Sequence, residues 1–257
     1  MADPVNRSLP ASDAPRSAEV VSIHALKQHC ATCSLRELCL PIGLAQADLE
    51  QLDAVVGERR RLKKGEPLFR AGDPFSALYA VRLGTFKTTV LAEDGRDQVA
   101  GYHLPGDLVG LDGLGNQQHG SDAVALEDSE ACAIPFDRLE DLARRIPSLQ
   151  HNLHRVLARE ITQDHGVMLL LGSMRAEERL ATFLLDLAAR YRRRGYSSTE
   201  FVLRMTREEI GSFLGLKLET VSRLFSRFQE EGLLRVSGRE VRLVDIASLK
   251  RLAGQRG

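Results

Sequence analysis

The spacing of apolar positions changes along the chain, and each change predicts an element. Over residues 44–136 the apolar residues come in short runs, LFRAGD, LYAVRLGTFKTTVL, VAGYHLPGD and ACAIP, cut by turn residues. Runs of this length bounded by Gly, Pro and Asp read as strands. Asp94 and Gly95 between two such runs give a hairpin signal, and Gly84 and the Pro105-Gly106 pair mark further turns. This pattern predicts a small antiparallel β-roll. From Pro147 the spacing becomes helical for about seven turns without an interior proline. His154, Leu157, Ile161, Asp164, Met168 and Leu171 then follow one another at alternating intervals of 3 and 4, the seam of a two-stranded coiled coil. Val156, Val167 and Leu170 form a second stripe that can pack on the helix's own domain.

Beyond Arg175, AEERLATFLLDLAARYRRRG is an amphipathic helix with Leu180, Phe183, Leu184 and Leu187 on one face. Thr206 and Glu209 then form a capping box that opens a helix ending near Leu214, and Gly215 turns into a second helix running to about Glu231. The segment LLRVSGREVRLV, turning at Ser237-Gly238, adds a hairpin wing, so the whole reads as a winged helix-turn-helix. On the second helix Glu219, Ser222 and Arg223 share a face without apolar company. An arginine can grip guanine, a glutamate can accept from cytosine N4, and a serine fits against a base edge. Lys217 and Arg227 are placed for phosphates. The expected architecture is α+β: an extension over residues 1–25, a cysteine-bearing loop and β-roll sensor over 26–145, a dimerisation helix over 146–174 and a winged helix-turn-helix over 175–257.

The formal net charge is zero, yet residues 175–257 hold 17 Lys and Arg against 11 Asp and Glu, a net +6, and the remainder is equally acidic. A basic module on an acidic one suits a polyanion-binding domain joined to a regulatory domain. Hydrophobic residues at 43% and charged residues at 27% are ordinary globular values. No apolar run of bilayer length and no signal-peptide core occur, so the expected location is the cytoplasm, with no membrane partner. No nucleophile elbow, P-loop or dinucleotide fingerprint is present, and no enzymatic activity is expected.

Four cysteines remain, three of them in HCATCSLRELCLP as Cys30, Cys33 and Cys39, with Cys132 far away. In a reducing compartment metal ligation is the better reading than disulfides. Four thiolates can hold zinc or an iron-sulfur cluster, and the spacing leaves both open. Leu38 and Leu40 would cover such a site, and His24 and His29 read as exposed or capping residues. Asp164 in the seam would face its own copy across a two-fold axis, so the predicted homodimer is marginal and conditional.

HCATCSLRELCLP, GYHLPGDLVG, ALEDSEACAIPF, LLLGSMRAEERLA and MTREEIGSFLGLKLETVSRLFSRFQ together resemble the fumarate and nitrate reduction (FNR) regulators of the cAMP receptor protein superfamily, over nearly the whole chain after residue 25. The resemblance implies that Cys30, Cys33, Cys39 and Cys132 ligate a 4Fe-4S cluster that oxygen converts to a 2Fe-2S form, releasing the dimer. It implies that Glu219, Ser222 and Arg223 read palindromic TTGAT-type half-sites to control anaerobic genes, and that Asp164 is the charged seam position. It also makes the acidic hairpin tip at residues 93–97 a candidate RNA polymerase contact, beside the plain reading of a solvated turn. Two departures stand out. Lys217 replaces the usual Thr or Ser at the start of the recognition helix, removing a cap typically worth about 1 kcal/mol. Leu111, and the lack of an arginine around Ser121, argue against a cyclic nucleotide.

Overall fold

The computed structural model describes residues 30–91, 95 and 97–254. The N-terminal extension with His24 and His29, and Glu93, Asp94 and Arg96 of the hairpin tip, lie outside the described residues. The described residues open with a 3-10 turn at Cys30–Thr32, a loop, and helix α1 (Gln46–Val55). Eight strands follow: β1 (Arg59–Leu62), β2 (Pro67–Phe69), β3 (Ala77–Leu83), β4 (Phe86–Leu91), β5 (Asp97–His103), β6 (Leu108–Val109), β7 (Asp122–Ala125) and β8 (Ser129–Pro135). They pair antiparallel into two sheets, in the orders β1-β8-β3-β6 and β2-β7-β4-β5. Helices α2 (Phe136–Arg145), α3 (Pro147–Ser173) and α4 (Ala176–Arg193) come next. The C-terminal part contains β9 (Glu200–Val202), α5 (Arg207–Leu214), α6 (Leu218–Glu230), β10 (Leu234–Ser237), β11 (Glu240–Leu243) and α7 (Ile246–Leu252).

The period-2 alternation of strands sorts residues between two cores. On β3 and β8, Ala77, Tyr79, Val81 and Ala131 point into the roll, where they meet Phe69, Phe86 and Val109. Leu78, Ala80 and Ile134 point outward, into a second core with Leu40, Leu44, Leu49, Leu52, Leu139, Leu142 and Leu149. That outer layer contains two helices absent from the sequence-based expectation, α1 and α2. Helix α1 buries only Leu49 and Leu52. One apolar pair at i, i+3 carries too little periodicity to stand out beside strand-like runs. Helix α2 buries Leu139, Leu142 and Ala143 and ends at Arg145, with Ile146 as the single capping residue before the proline that opens α3.

The helix-turn-helix forms as expected. The Thr206 hydroxyl accepts from Glu209 N at 3.1 Å, the Glu209 carboxylate accepts from Thr206 N at 2.7 Å, and α5 closes on Gly215 in the left-handed conformation. Strand β9 adds a third member to the wing sheet, in the order β10-β11-β9. Tyr102 of β5 packs against Phe213 and Phe183, with centroids 5.3 and 6.1 Å apart, so one continuous core joins the roll to the C-terminal domain.

Gly211 sets the angle between α5 and α6. A Cβ there would lie 2.6 Å from the Leu216 carbonyl oxygen, a backbone atom that cannot rotate away. Gly211→Ala is therefore expected to cost about 1–3 kcal/mol through overpacking, read as a lower midpoint in urea unfolding with an unchanged slope.

Candidate metal centre and nucleic-acid interface

Cys132 sits in mid-sheet on β8, opposite Arg59 on one side and Ala80 on the other. It shares the outward face with Ile134, so its thiol points toward the loop that carries the other three cysteines. All four cysteines line one hollow of about 40 Å³, walled by Leu35, Leu40, Pro41, Leu52 and Ile134. This is room for about one or two waters. Among the described residues no group of three or more His, Cys, Asp or Glu converges closely enough to hold a metal ion. The four thiols surround a space without meeting at a point.

Local contacts hold the loop. Leu40 and Leu44 are buried in the outer core. Asn152 on α3, itself 4% exposed, donates to the Leu40 carbonyl at 2.9 Å and to the Ile42 carbonyl at 2.7 Å. Asp53 on α1 accepts from Cys30 N. Burial pushes the Cys39 thiol up to about 12. Cys30 is raised by burial and then by Asp53, and Cys132 by burial against the opposing pull of Arg59 and Arg82. These thiols therefore stay protonated near neutral pH, and a metal or cluster must displace their protons.

Helix α6 divides cleanly. Val221, Leu224, Phe225 and Phe228 are buried at i, i+3, i+4 and i+7. Glu219, Ser222 and Arg223 are exposed on the opposite face, as are Lys217 and Arg227. Arg207 lies over the Phe225 ring, its guanidinium carbon 3.2 Å from the centroid. Lys217 makes no side-chain cap, so the first amides of α6 lack a side-chain acceptor from that position.

Residues 178–252 match the Crp-like helix-turn-helix domain and residues 59–145 the cyclic nucleotide-binding domain. The transcriptional regulatory protein btr of Bordetella pertussis is 52% identical, covering 88% of this chain and 94% of its own length. The transcriptional activator anr of Pseudomonas aeruginosa is 48% identical, over 92% of this chain and 98% of its own. The fumarate and nitrate reduction regulatory protein of Yersinia pestis is 45% identical, over 88% and 90%. The chain belongs to the FNR and ANR family of transcriptional regulators. The structure of FixK2 from Bradyrhizobium japonicum matches with a TM-score of 0.72 at 32% identity, covering 79% of this chain and all of that one, which fixes the fold as that of the FNR and cAMP receptor protein superfamily. Like its relatives, this FNR-family chain is a DNA-binding regulator and not an enzyme. No helix among the described residues is long and apolar enough to cross a membrane.

The seam residues fall unequally on α3. His154, Ile161, Asp164 and Met168 are exposed and Leu157 is half-buried, whereas Leu171 packs into the core of the C-terminal domain. Arg227, expected at phosphates, pairs with Glu231 at 2.7 Å and Glu177 at 3.0 Å. Asp53 and Asn152 escaped the sequence reading, because the contacts that give them a role span 23 and at least 110 residues. At pH 8 the cluster-free FNR-family chain should alkylate at Cys39 roughly 100- to 1000-fold more slowly than free cysteine. The rate should rise with pH up to about 12, the value to which burial pushes this thiol. Peptide mapping after timed iodoacetamide exposure measures it.

Proposed function

We propose that this chain is an oxygen-responsive transcriptional regulator in which Cys30, Cys33, Cys39 and Cys132 hold an oxygen-labile 4Fe-4S cluster that promotes dimerisation and operator binding. The observation that carries this reading is the outward face of β8, which turns Cys132 toward the hollow lined by the three loop cysteines. The donor chemistry fits: four soft thiol ligands with an apolar cover, and the guanidinium groups of Arg59 and Arg82 acting electrostatically on Cys132. When bound, the cluster supplies an oxygen-labile tie between the loop and the roll. The protein supplies the rest. Asn152 links the loop to α3, whose exposed Ile161 and Met168 offer a partner an apolar seam, and Asp164 opposes pairing through like charge. A dimer would carry two copies of α6 to half-sites one DNA turn apart, with Glu219, Ser222 and Arg223 reading TTGAT-type sequence and Lys217 and Arg227 near phosphates. RNA polymerase is the proposed partner at activated promoters, and the cytoplasm the proposed location.

The cyclic nucleotide-binding fold segment is proposed to work without its nucleotide. The Asp112 carboxylate accepts from Gly120 N at 2.9 Å, Ser121 N at 3.0 Å and Ser121 Oγ at 2.8 Å. A resident anion thus takes the donors that a phosphate would need, and Leu111 offers no ribose acceptor.

Protein purified without oxygen should contain iron and sulfide and lose its visible absorption in air, while the variant with all four cysteines replaced by serine should lose the cluster and operator binding. Colourless anaerobic protein containing zinc would sink the reading. Asp164→Ala should shift the cluster-free protein toward dimer in sedimentation. Arg223→Ala should cost about 1–3 kcal/mol on the cognate operator and relax specificity at one base pair, as competition titration measures. Cyclic AMP should give no binding heat in calorimetry.

A further inference from the structure

The turn at residues 104–107, between β5 and β6, is touched by the cysteine loop on one side and by the DNA-binding domain on the other. Gly106 has φ +94°, and a Cβ there would stand 2.7 Å from Leu38 Cβ. Leu38, the neighbour of Cys39, therefore rests directly on the turn. The turn is also bonded to β3, with Gly106 N donating to the Val81 carbonyl at 2.8 Å and Val81 N to the Asp107 carbonyl at 2.9 Å. Val81 follows Ala80, the ladder partner of Cys132. Both halves of the candidate ligand set thus reach the same four residues, Cys39 through Leu38 and Cys132 through β3.

On the far side α4 grips the turn. Arg190 Nη2 lies 2.7 Å from Asp107 Oδ2 and donates to the Tyr102 carbonyl at 2.6 Å. Arg194 Nη2 lies 2.6 Å from Asp107 Oδ1, and its Nε donates to the Pro105 carbonyl at 2.7 Å. Leu104 N completes the carboxylate's partners at 2.8 Å. The arginine side chains are only 12% and 4% exposed, so these are charge-assisted bonds in a largely dry setting. Burial acts to raise the Asp107 carboxyl, but the two guanidinium groups outweigh it and hold it below its ordinary value. A cavity of about 950 Å³ opens beside this node, walled by Leu38, Cys39, Asp107, Arg190 and, from α3, Glu160.

We propose that this turn, with Asp107 as its positioning residue, transmits the arrangement of the cysteine loop to the DNA-binding domain, by a route separate from dimerisation through α3. The inference rests on the cluster reading above. Leu38 moves with Cys39, the turn answers at Gly106, and α4 follows because its two arginines are fixed to Asp107 and to the carbonyls on either side. Breaking the buried charge pairs should leave the domain folded and the loop intact, yet uncouple them.

The test compares cluster-loaded and cluster-free protein by hydrogen exchange of the α4 amides, in the unsubstituted chain, in Asp107→Asn and in Lys87→Ala. The last variant removes a different interdomain ion pair, Lys87 to Glu209 at 2.8 Å, without touching the turn. The expected result is an α4 response to the cluster in the unsubstituted chain and in Lys87→Ala, and its loss in Asp107→Asn with iron and sulfide content unchanged. The ratio of operator affinities between loaded and cluster-free forms should fall about tenfold in Asp107→Asn, the scale of one charged hydrogen bond. If Asp107→Asn fails to melt cooperatively, the Arg190→Gln, Arg194→Gln double variant reads the same contact from α4. The inference is overturned if α4 responds to the cluster in Asp107→Asn as in the unsubstituted chain, if Lys87→Ala loses the response equally, or if Asp107→Asn loses its cluster. Unsubstituted protein lacking iron and sulfide would instead remove the cluster reading itself, and this inference with it.

Discussion

The loop between Cys33 and Leu44 has no helix or strand ladder of its own, so the positions of Cys33 and Cys39 depend on how that loop is pressed against the outer face of one sheet. Leu40 and Leu44 anchor it by burial on Leu78, Ala80 and Ile134, each side chain contributing roughly 1.5–3 kcal/mol if fully removed from water. Asn152 meets two of the loop's carbonyls, which would otherwise be buried without partners at a cost of about 1–3 kcal/mol each. The same face presents Cys132. A one-residue slip in the register of β8 would send Cys132 into the roll and Ala131 out to the loop. The pairing of Cys132 with Arg59 and Ala80 is therefore the constraint on which the candidate site stands.

The joint between the domains uses different physics. Its apolar part, Tyr102 with Phe183 and Phe213, is an ordinary continuous core. Its polar part concentrates charge where water is scarce, with one carboxylate between two arginines at Asp107 and a lysine on the capping-box glutamate Glu209. Buried ion pairs add little net stability, because desolvation offsets most of the attraction, but losing one partner leaves a costly orphan. Such a joint tolerates few alternative arrangements. Glu209 illustrates the economy of the design: the same carboxylate that caps α5 also binds the roll through Lys87, so the start of the helix-turn-helix and the domain contact are one structure.

Helix α3 stands between these two sites and carries two carboxylates one turn apart, Glu160 and Asp164, which share a face and both line the cavity of about 950 Å³. Burial, then Asp164 and Asp107, push Glu160 up to about 7. Asp164 is exposed at the cavity's rim, and Ile161 and Met168 are exposed near it along the helix. The inner stripe of Val156, Val167 and Leu170 is buried to varying degrees, and the outer one is left to solvent in the single chain. A long helix with one committed face and one exposed apolar face containing a charge is suited to conditional pairing.

Much of this was legible in the chain itself. The strand runs, the proline-led α3, the capping box at Thr206, the turn at Gly215 and the wing all follow from local periodicity and turn chemistry, which neighbouring residues set without help from the rest of the fold. The polar face of α6 was equally plain, since helical spacing alone separates Glu219, Ser222 and Arg223 from Val221, Leu224 and Phe225. What the sequence could not supply were contacts between distant segments. Helices α1 and α2 each bury one short stripe of two or three residues that becomes meaningful only against the outer sheet. Arg227 looked free for phosphate but closes on Glu177, fifty residues earlier, and Leu171 looked like seam but turns into the C-terminal core. Asp107, Arg190 and Arg194 read as a turn acid and a solvated basic run until folding brings them within 2.7 Å. Local propensity depends on a few adjacent residues and can be read from their order, whereas burial and charge pairing depend on which faces meet, and the tertiary fold alone decides that.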